Sequence, residues 1–551
     1  MADNIDVLPA TKSRKQSVAT TEVSGVHYPN YVMYGVNSSG DLVPINADAH
    51  GHIETAIHSP SLPFGSLHTE SLNPIFQNDA VYGIDVYHNE ITTSLSGTVT
   101  GSGNLFKCST GTTSLAQAVL QSKQRLRYRA GQGVVGRFTA LWSDSALTTS
   151  LNISVAGFGT AESGFYFGYY EVAASTPEFG ILHTNGAKRE IQTLTVSTAS
   201  TTTDDIQITL NGTEFTVSGI TASSDTVMTA YEISNGTFTG WTAEASGSDV
   251  IFLASAAGDK TSSFSIAQAG AGTPAAGSYV ETLAGYNTNT DTFIPQSTWN
   301  GDKLDGTGPS GSVLDTTKGN VFQIGIQYLG FGSITFDVEV AAPGNNPVWV
   351  TVHTIDAPNS LTSVTSTQPS FPFTMAAYSA TSTTDVSIST GSYAGFIEGE
   401  KKLNGPRLSY TGGIATTATV TAIGTVRNNL VFNGRPNQSI INVIDINFTS
   451  RSSNNTYTIL YLYRNAALGG TPDFAEYTEL SPGYIDTSAT TATISDQNQL
   501  VWSGTIMEQG TIDHTFPDNI DLQPGETLTF AVATSSGTGF SSVSLNTRED
   551  H

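Results

Sequence analysis

From Ile334 to Val340 the chain alternates without a break: Ile334, Phe336, Val338 and Val340 share one side, and Thr335, Asp337 and Glu339 the other. A two-residue repeat with one apolar and one polar side suits a half-buried β-strand and cannot form the face of a helix. The repeat returns in short runs along the chain, as in Val81–Tyr87, Val348–His353, Ile444–Thr449 and Leu528–Val532. Turn dipeptides punctuate them: Asn211-Gly212, Asp305-Gly306, Gly308-Pro309 and Ser310-Gly311. Short alternating runs cut by turns predict an all-β protein of tandem β-sandwich or jelly-roll domains.

The 551 residues suffice for roughly three or four ordinary domains. Apolar residues make up only 38%, but aromatic and β-branched residues occur throughout, so the composition reads as hydroxyl-rich sheet and not as disorder. Against 22 Lys and Arg stand 47 Asp and Glu, a formal charge of −25. Such a surface repels nucleic acid and anionic membranes and favours solubility at high copy number. The lone Cys108 excludes an internal disulfide and a Cys-rich metal framework, and reads as a small buried apolar residue. The polar start MADNIDVLPATKSRK lacks the apolar core of a signal peptide, and no apolar run approaches ~20 residues. Synthesis in the cytoplasm without membrane insertion is the expectation.

Residues 1–60 read as an extended anchoring arm, with few apolar residues and with Pro9, Pro29 and Pro44 breaking any ladder. Lys12, Arg14 and Lys15 form a basic cluster suited to an acidic partner. His50 and His52, two apart on an extended chain, point the same way; on a threefold axis three such pairs could hold one metal ion, while the plain alternative is surface histidine. No other cofactor is expected.

Residues 61–192 plus 286–428 are predicted to form one β-sandwich. Within it, Ser114–Arg129 can be read as a helix with Leu115, Ala118, Val119 and Ser122 on one face. Read as a strand, it places Lys123, Arg125, Arg127 and Arg129 on one side, either as a solvated strand that balances the protein's own carboxylates or as a contact strip for an acidic partner or an anionic ligand. Gly131, Gly133 and Gly136 follow, but no GK[ST] ends the run, so it is not a phosphate loop.

Residues 193–285 read as a small inserted α+β module facing solvent, with a helix capped by Asp225 and stopped at Asn235-Gly236. Residues 429–551 read as a second sandwich, in which Tyr457, Ile459, Tyr461 and Tyr463 share a face. Those tyrosines suit strand packing or, at an exposed tip, a receptor or glycan. His353 is expected to be a half-buried strand residue, and Asp302 and Asp305 to cap turns or hold a hard cation. No nucleophile elbow, HExxH or Walker A motif is present.

The stretch WNGDKLDGTGPSGSVLDTTKGNVFQIGIQYLGFGSITFDVEV, Trp299 to Val340, resembles a pattern that recurs in virion structural proteins of tailed bacteriophages and some other large DNA viruses. QRLRYRAGQGVVGRFTALW (Gln124–Trp142) and GFYFGYYE (Gly164–Glu171) are similar to parts of the same family. VATTEVSGVHYPNYVM (Val18–Met33) resembles a recurring start of phage structural proteins, which marks Val26, His27 and Tyr28 as anchor residues of the arm. The resemblance implies a non-enzymatic virion protein assembled in the host cytoplasm as a homotrimer, with the major capsid or tail protein as partner. Two roles stay open: a capsid decoration, head-fibre or vertex protein held by its arm, and a tail or baseplate adhesin whose C-terminal sandwich meets a host receptor or glycan.

Overall fold

The computed structural model describes residues 72–143, 152–170, 178–269, 275–286, 291–327, 329–341, 347–380, 383–399, 405–452 and 456–550, with five short strands in the first 61 residues. The chain divides into two compact units, Met1–Ser61 and Leu62–His551. In the first unit, Asp3–Val7, Gln16–Val23 and Val26–Pro29 form an antiparallel three-stranded sheet, and Tyr34–Val36 pairs with Leu42–Pro44. This corrects the expectation of an arm without ladders. Pro29 and Pro44 each end a strand, a place where the missing N–H is tolerated.

The second unit is all-β apart from one α-helix among the described residues. Its central sandwich stacks a seven-stranded sheet on a nine-stranded one. The seven-stranded order is Thr292–Pro295, Glu178–Asn185, Ser163–Tyr170, Ile153–Gly159, Ser370–Tyr378, Gln117–Arg127, Asn89–Ser94. In the nine-stranded sheet, Pro347–Ile355, Ile334–Ala341, Asn320–Ile326 and Val134–Trp142 lie side by side. Val134–Trp142 also pairs with Ser392–Glu398, which pairs in turn with the edge strand Leu72–Asp79. Alternating residues from both sheets meet in a phenylalanine-rich core: Phe138 stacks on Phe322 at 5.4 Å between centroids and touches Phe158, Phe167 and Phe373. Gly136 makes room for this core, because a Cβ there would sit 2.1 Å from the Phe158 ring. Cys108 lies in the same core, where burial pushes its thiol up to about 12.

Ile334, Phe336 and Val338 point into the core, as the alternation requires, and the strand Gln117–Arg127 settles the Ser114–Arg129 ambiguity. Its repeat is broken by a bulge in which Ser122, Lys123 and Gln124 lie opposite Phe373 alone.

The inserted module runs from Arg189 to Leu283. A four-stranded and a three-stranded sheet pack with the helix Thr226–Ser234 around Leu194, Ile206, Ile208 and Phe252. The Asp225 carboxylate caps the helix by accepting from the Val227 N–H at 2.9 Å, and Asn235 ends it. Asn211 and Gly212 both take positive φ, 50° and 78°, as a tight hairpin turn demands.

The C-terminal sandwich stacks a four-stranded sheet on a six-stranded one around Ile446, Phe448, Leu460, Leu462 and Phe530. Two expectations are corrected here. Thr421–Asn428, expected to close the central sandwich, pairs with Thr527–Thr534, so the sequence boundary at 428/429 falls inside the C-terminal domain, whose first strand is Arg407–Thr416. A register shift between Val443 and Asp445 leaves Ile444 half-buried, so the alternating core set is Val443, Ile446 and Phe448.

Candidate functional site

Four strands of the nine-stranded sheet carry a polar ladder across its outer face. Registration places Arg137 opposite Gln323, Gln323 opposite Asp337, and Asp337 opposite Thr351. Each side chain bonds the next. Arg137 Nε donates to Gln323 Oε1 at 2.7 Å, Gln323 Nε2 to Asp337 Oδ2 at 3.0 Å, and Thr351 Oγ1 to Asp337 Oδ1 at 2.6 Å. Neighbours on both sides therefore fix which way the Gln323 amide points. Burial pushes the Asp337 carboxyl above its ordinary value, against the pull of Thr351, Gln323 and Arg137. The Arg137 guanidinium is shifted down by burial, opposed by Glu339 and Asp337, and stays charged. It lies 5.2 Å from the Trp349 ring and 5.5 Å from the Phe396 ring, so it is held by cation–π contacts as well as by Gln323.

Beside this clamped arginine the sheet face forms a trough of about 510 Å³. Small side chains, Thr139, Val321, Ser392 and Ala394, leave the floor open, and Arg137 and Phe396 line it as well. Gln77 and Asp79, from the edge strand Leu72–Asp79, bring further polar groups to it. The size falls within the ~300–1,000 Å³ typical of small-molecule sites.

The basic strip lies elsewhere, inside the chain's own joints. Arg127 Nη1 donates to Gln438 O of the C-terminal sandwich at 2.6 Å, and Arg127 and Arg129 both pair with Asp550 on its last strand. Burial lowers Arg125, with Arg189 adding to the shift and Glu90 and Glu162 opposing it. Lys123 sits in the bulge. Arg127 and Arg129 are thus matched by the chain's own Asp550, but in a joint between domains and not on the expected solvated strand.

A second joint ties the module down. Glu244 accepts from the Leu430 N–H at 2.9 Å and lies 3.8 Å from Arg427, both side chains being buried. Arg427 packs over Phe474 at 4.1 Å and donates from Nε to Asn429 Oδ1 at 2.7 Å. The module therefore docks on the C-terminal sandwich, a correction to the expectation that it faces solvent.

Asp302 accepts from the Leu304 N–H at 2.9 Å and the Ser310 N–H at 2.7 Å. Burial opposes its ionisation, but these bonds prevail and hold it below the usual carboxylate range. Asp305 caps Thr307 at 2.8 Å. The bland reading as turn caps describes both. His353 is buried and accepts at Nδ1 from the Asn300 N–H at 3.2 Å, which pins the Trp299 stretch to its neighbouring strand. The C-terminal tyrosines do not all share a fate. Tyr461 and Tyr463 stack at 5.6 Å in a satellite cluster that includes Leu468 and Ala492 of the hairpin Ala467–Gly470/Ala489–Thr493, whereas Tyr457 is exposed. Val26, His27 and Tyr28 lie on the strand Val26–Pro29, while Lys12, Arg14, Lys15, His50 and His52 fall outside the described residues. Among the described residues no three His, Cys, Asp or Glu gather as a metal site, and no helix is long and apolar enough to cross a membrane.

The ladder escaped sequence reasoning. Alternation put Asp337 on the polar side of its strand, but nothing local told that the strands of Arg137, Gln323, Asp337 and Thr351 are neighbours. A scan against protein-family models finds no match to the chain, and neither does a search of curated proteins.

Proposed function

We propose that this chain is a non-enzymatic structural protein of a virus particle: a capsid decoration, head-fibre or vertex protein held by its first sixty residues to the major capsid protein, as a homotrimer assembled in the host cytoplasm. The observation that supports this reading is how the conspicuous polar residues of the Trp299–Val340 stretch are used. Asp302 folds its loop, a Cβ at Gly308 would sit 2.0 Å from Asp302 Oδ1, and Trp299 is 2% exposed. In the stretch that carries the likeness to virion proteins, the loop carboxylates Asp302, Asp305 and Asp315 hold turns.

A second reading, a tail or baseplate adhesin, draws on one feature of the C-terminal sandwich. Tyr457 pairs with Met507, the strand ends Ser452 and Gly539 pair in the other sheet, Ser452 bonds the Glu508 carbonyl next to Met507, and Tyr457, Met507 and Phe540 are 41%, 65% and 57% exposed. Exposed apolar side chains at one end of a domain suit contact with a host surface.

Quantitative gel analysis of purified particles separates the two. A decoration protein approaches the copy number of the capsid protein, and an adhesin is far scarcer. Absence from the particle overturns both. Deleting residues 1–60 is expected to abolish attachment, and a truncated chain that still binds would overturn the arm as anchor.

A further inference from the structure

We infer that the trough on the central sandwich is a saccharide-binding site that takes a neutral, hydroxyl-rich sugar chain. The cavity of about 510 Å³ is an open groove across adjacent strands and not an enclosed hole, so an extended ligand can lie along it. The floor residues are small; the Thr139 hydroxyl is taken up by the Gly391 and Ser392 N–H groups, and Ser392 brings a second hydroxyl to the floor.

The polar groups match hydroxyls better than any other class. A sugar hydroxyl both donates and accepts, so it needs both kinds of partner close together. Here Arg137 only donates, Asp79 only accepts, and the Gln77 amide does both. Arg137 is also preorganised: its Nε is engaged by Gln323, and its plane is held by Trp349 and Phe396. A donor fixed in advance loses little freedom when the ligand arrives. Phe396, half-buried in the trough wall, offers an apolar surface for the C–H side of a pyranose ring.

Charge then selects among saccharides. Arg137 is the cation of the trough, while Asp79 lines it and Asp337 and Glu339 stand near the guanidinium. With the chain at −25 overall, a polyanion such as nucleic acid or an acidic glycan meets repulsion here. A neutral sugar meets none.

The test uses the full-length protein on an array of neutral and acidic oligosaccharides, followed by titration of the best neutral hit. Two variants separate binding from folding. Ala394→Trp fills the floor from the outer face, and Arg137→Ala removes the clamped donor; the thermal melt of each shows whether the sandwich is intact. The expected result is millimolar or tighter binding of a neutral oligosaccharide by the wild type, weakened at least tenfold by Ala394→Trp in a folded protein and also by Arg137→Ala. Wild-type protein that retains no neutral sugar, that retains only acidic glycans, or that is matched by Ala394→Trp would overturn the assignment. Copy number on the particle reads nothing of the trough, so failure here leaves the structural role standing.

Discussion

Arg427 and Arg137 are the same kind of residue in the same kind of place, a strand cation packed on two aromatic rings, and they end in opposite states. Arg427 lies over Phe474 and Tyr484 and is closed in by Glu244 from another domain. Arg137 lies over Trp349 and Phe396, and its carboxylate, Asp337, is reached through Gln323 on its own sheet. Among the described residues, no carboxylate of another domain closes on Arg137 as Glu244 of the module closes on Arg427. A buried cation whose partner comes from across a joint serves stability. One whose partner lies beside it on an open sheet face is held rigid and left addressable.

The contrast can be broken from the closed side first. Arg427→Ala strands Glu244 as a buried charge, and loss of one member of such a pair costs about 3–5 kcal/mol. Urea denaturation followed by tryptophan fluorescence should show this loss, and Trp241 of the module should report it directly.

A second closed carboxyl makes the C-terminal sandwich sensitive to pH. Glu549 is fully buried, receives a hydrogen bond from the Ser481 hydroxyl, and is pushed up by burial to about 7 from an ordinary 4.5. Its folded form binds the proton more tightly than the unfolded form does. Stability from this group is therefore full below about 4.5 and falls as pH rises through about 7, by up to about 3 kcal/mol. Melts of wild type and Glu549→Gln between pH 4.5 and 8 should diverge in that window, with the variant flatter.

Asp550→Asn comes next. It removes the charge shared by Arg127 and Arg129 at the joint between the sandwiches, for an expected loss of about 1.5–3 kcal/mol, read in the same urea experiment at neutral pH. The smallest effect belongs to the open side. Arg137→Ala gives up one hydrogen bond and partly exposed ring contacts, so about 1 kcal/mol is expected. A loss as large as that of Arg427→Ala would mean that Arg137 is closed in after all.

Local pattern carried much of this architecture. The period-two runs named the strands, Asp225 and Asn235 bounded the helix, and Asn211-Gly212 set a hairpin. Pattern failed where the outcome depended on distant partners. Thr421–Asn428 reads as a strand wherever it is placed, and only its ladder with Thr527–Thr534 assigns it to a domain. The spacing of Lys123, Arg125, Arg127 and Arg129 suggested one exposed face, but a bulge and Asp550, more than four hundred residues on, decided otherwise. Arg137, Gln323, Asp337 and Thr351 are scattered over more than two hundred residues of sequence, and no local signal joins them before the sheet does.

A double-mutant cycle on Glu244 and Arg427, with Glu244→Gln, Arg427→Met and the pair together, measures how far the closed joint binds module to sandwich. The expected result is a coupling energy of about 1–3 kcal/mol, the double variant being less damaged than the two single losses add up to. Strictly additive losses would contradict the joint, and with it the distinction between the covered arginine and the open one.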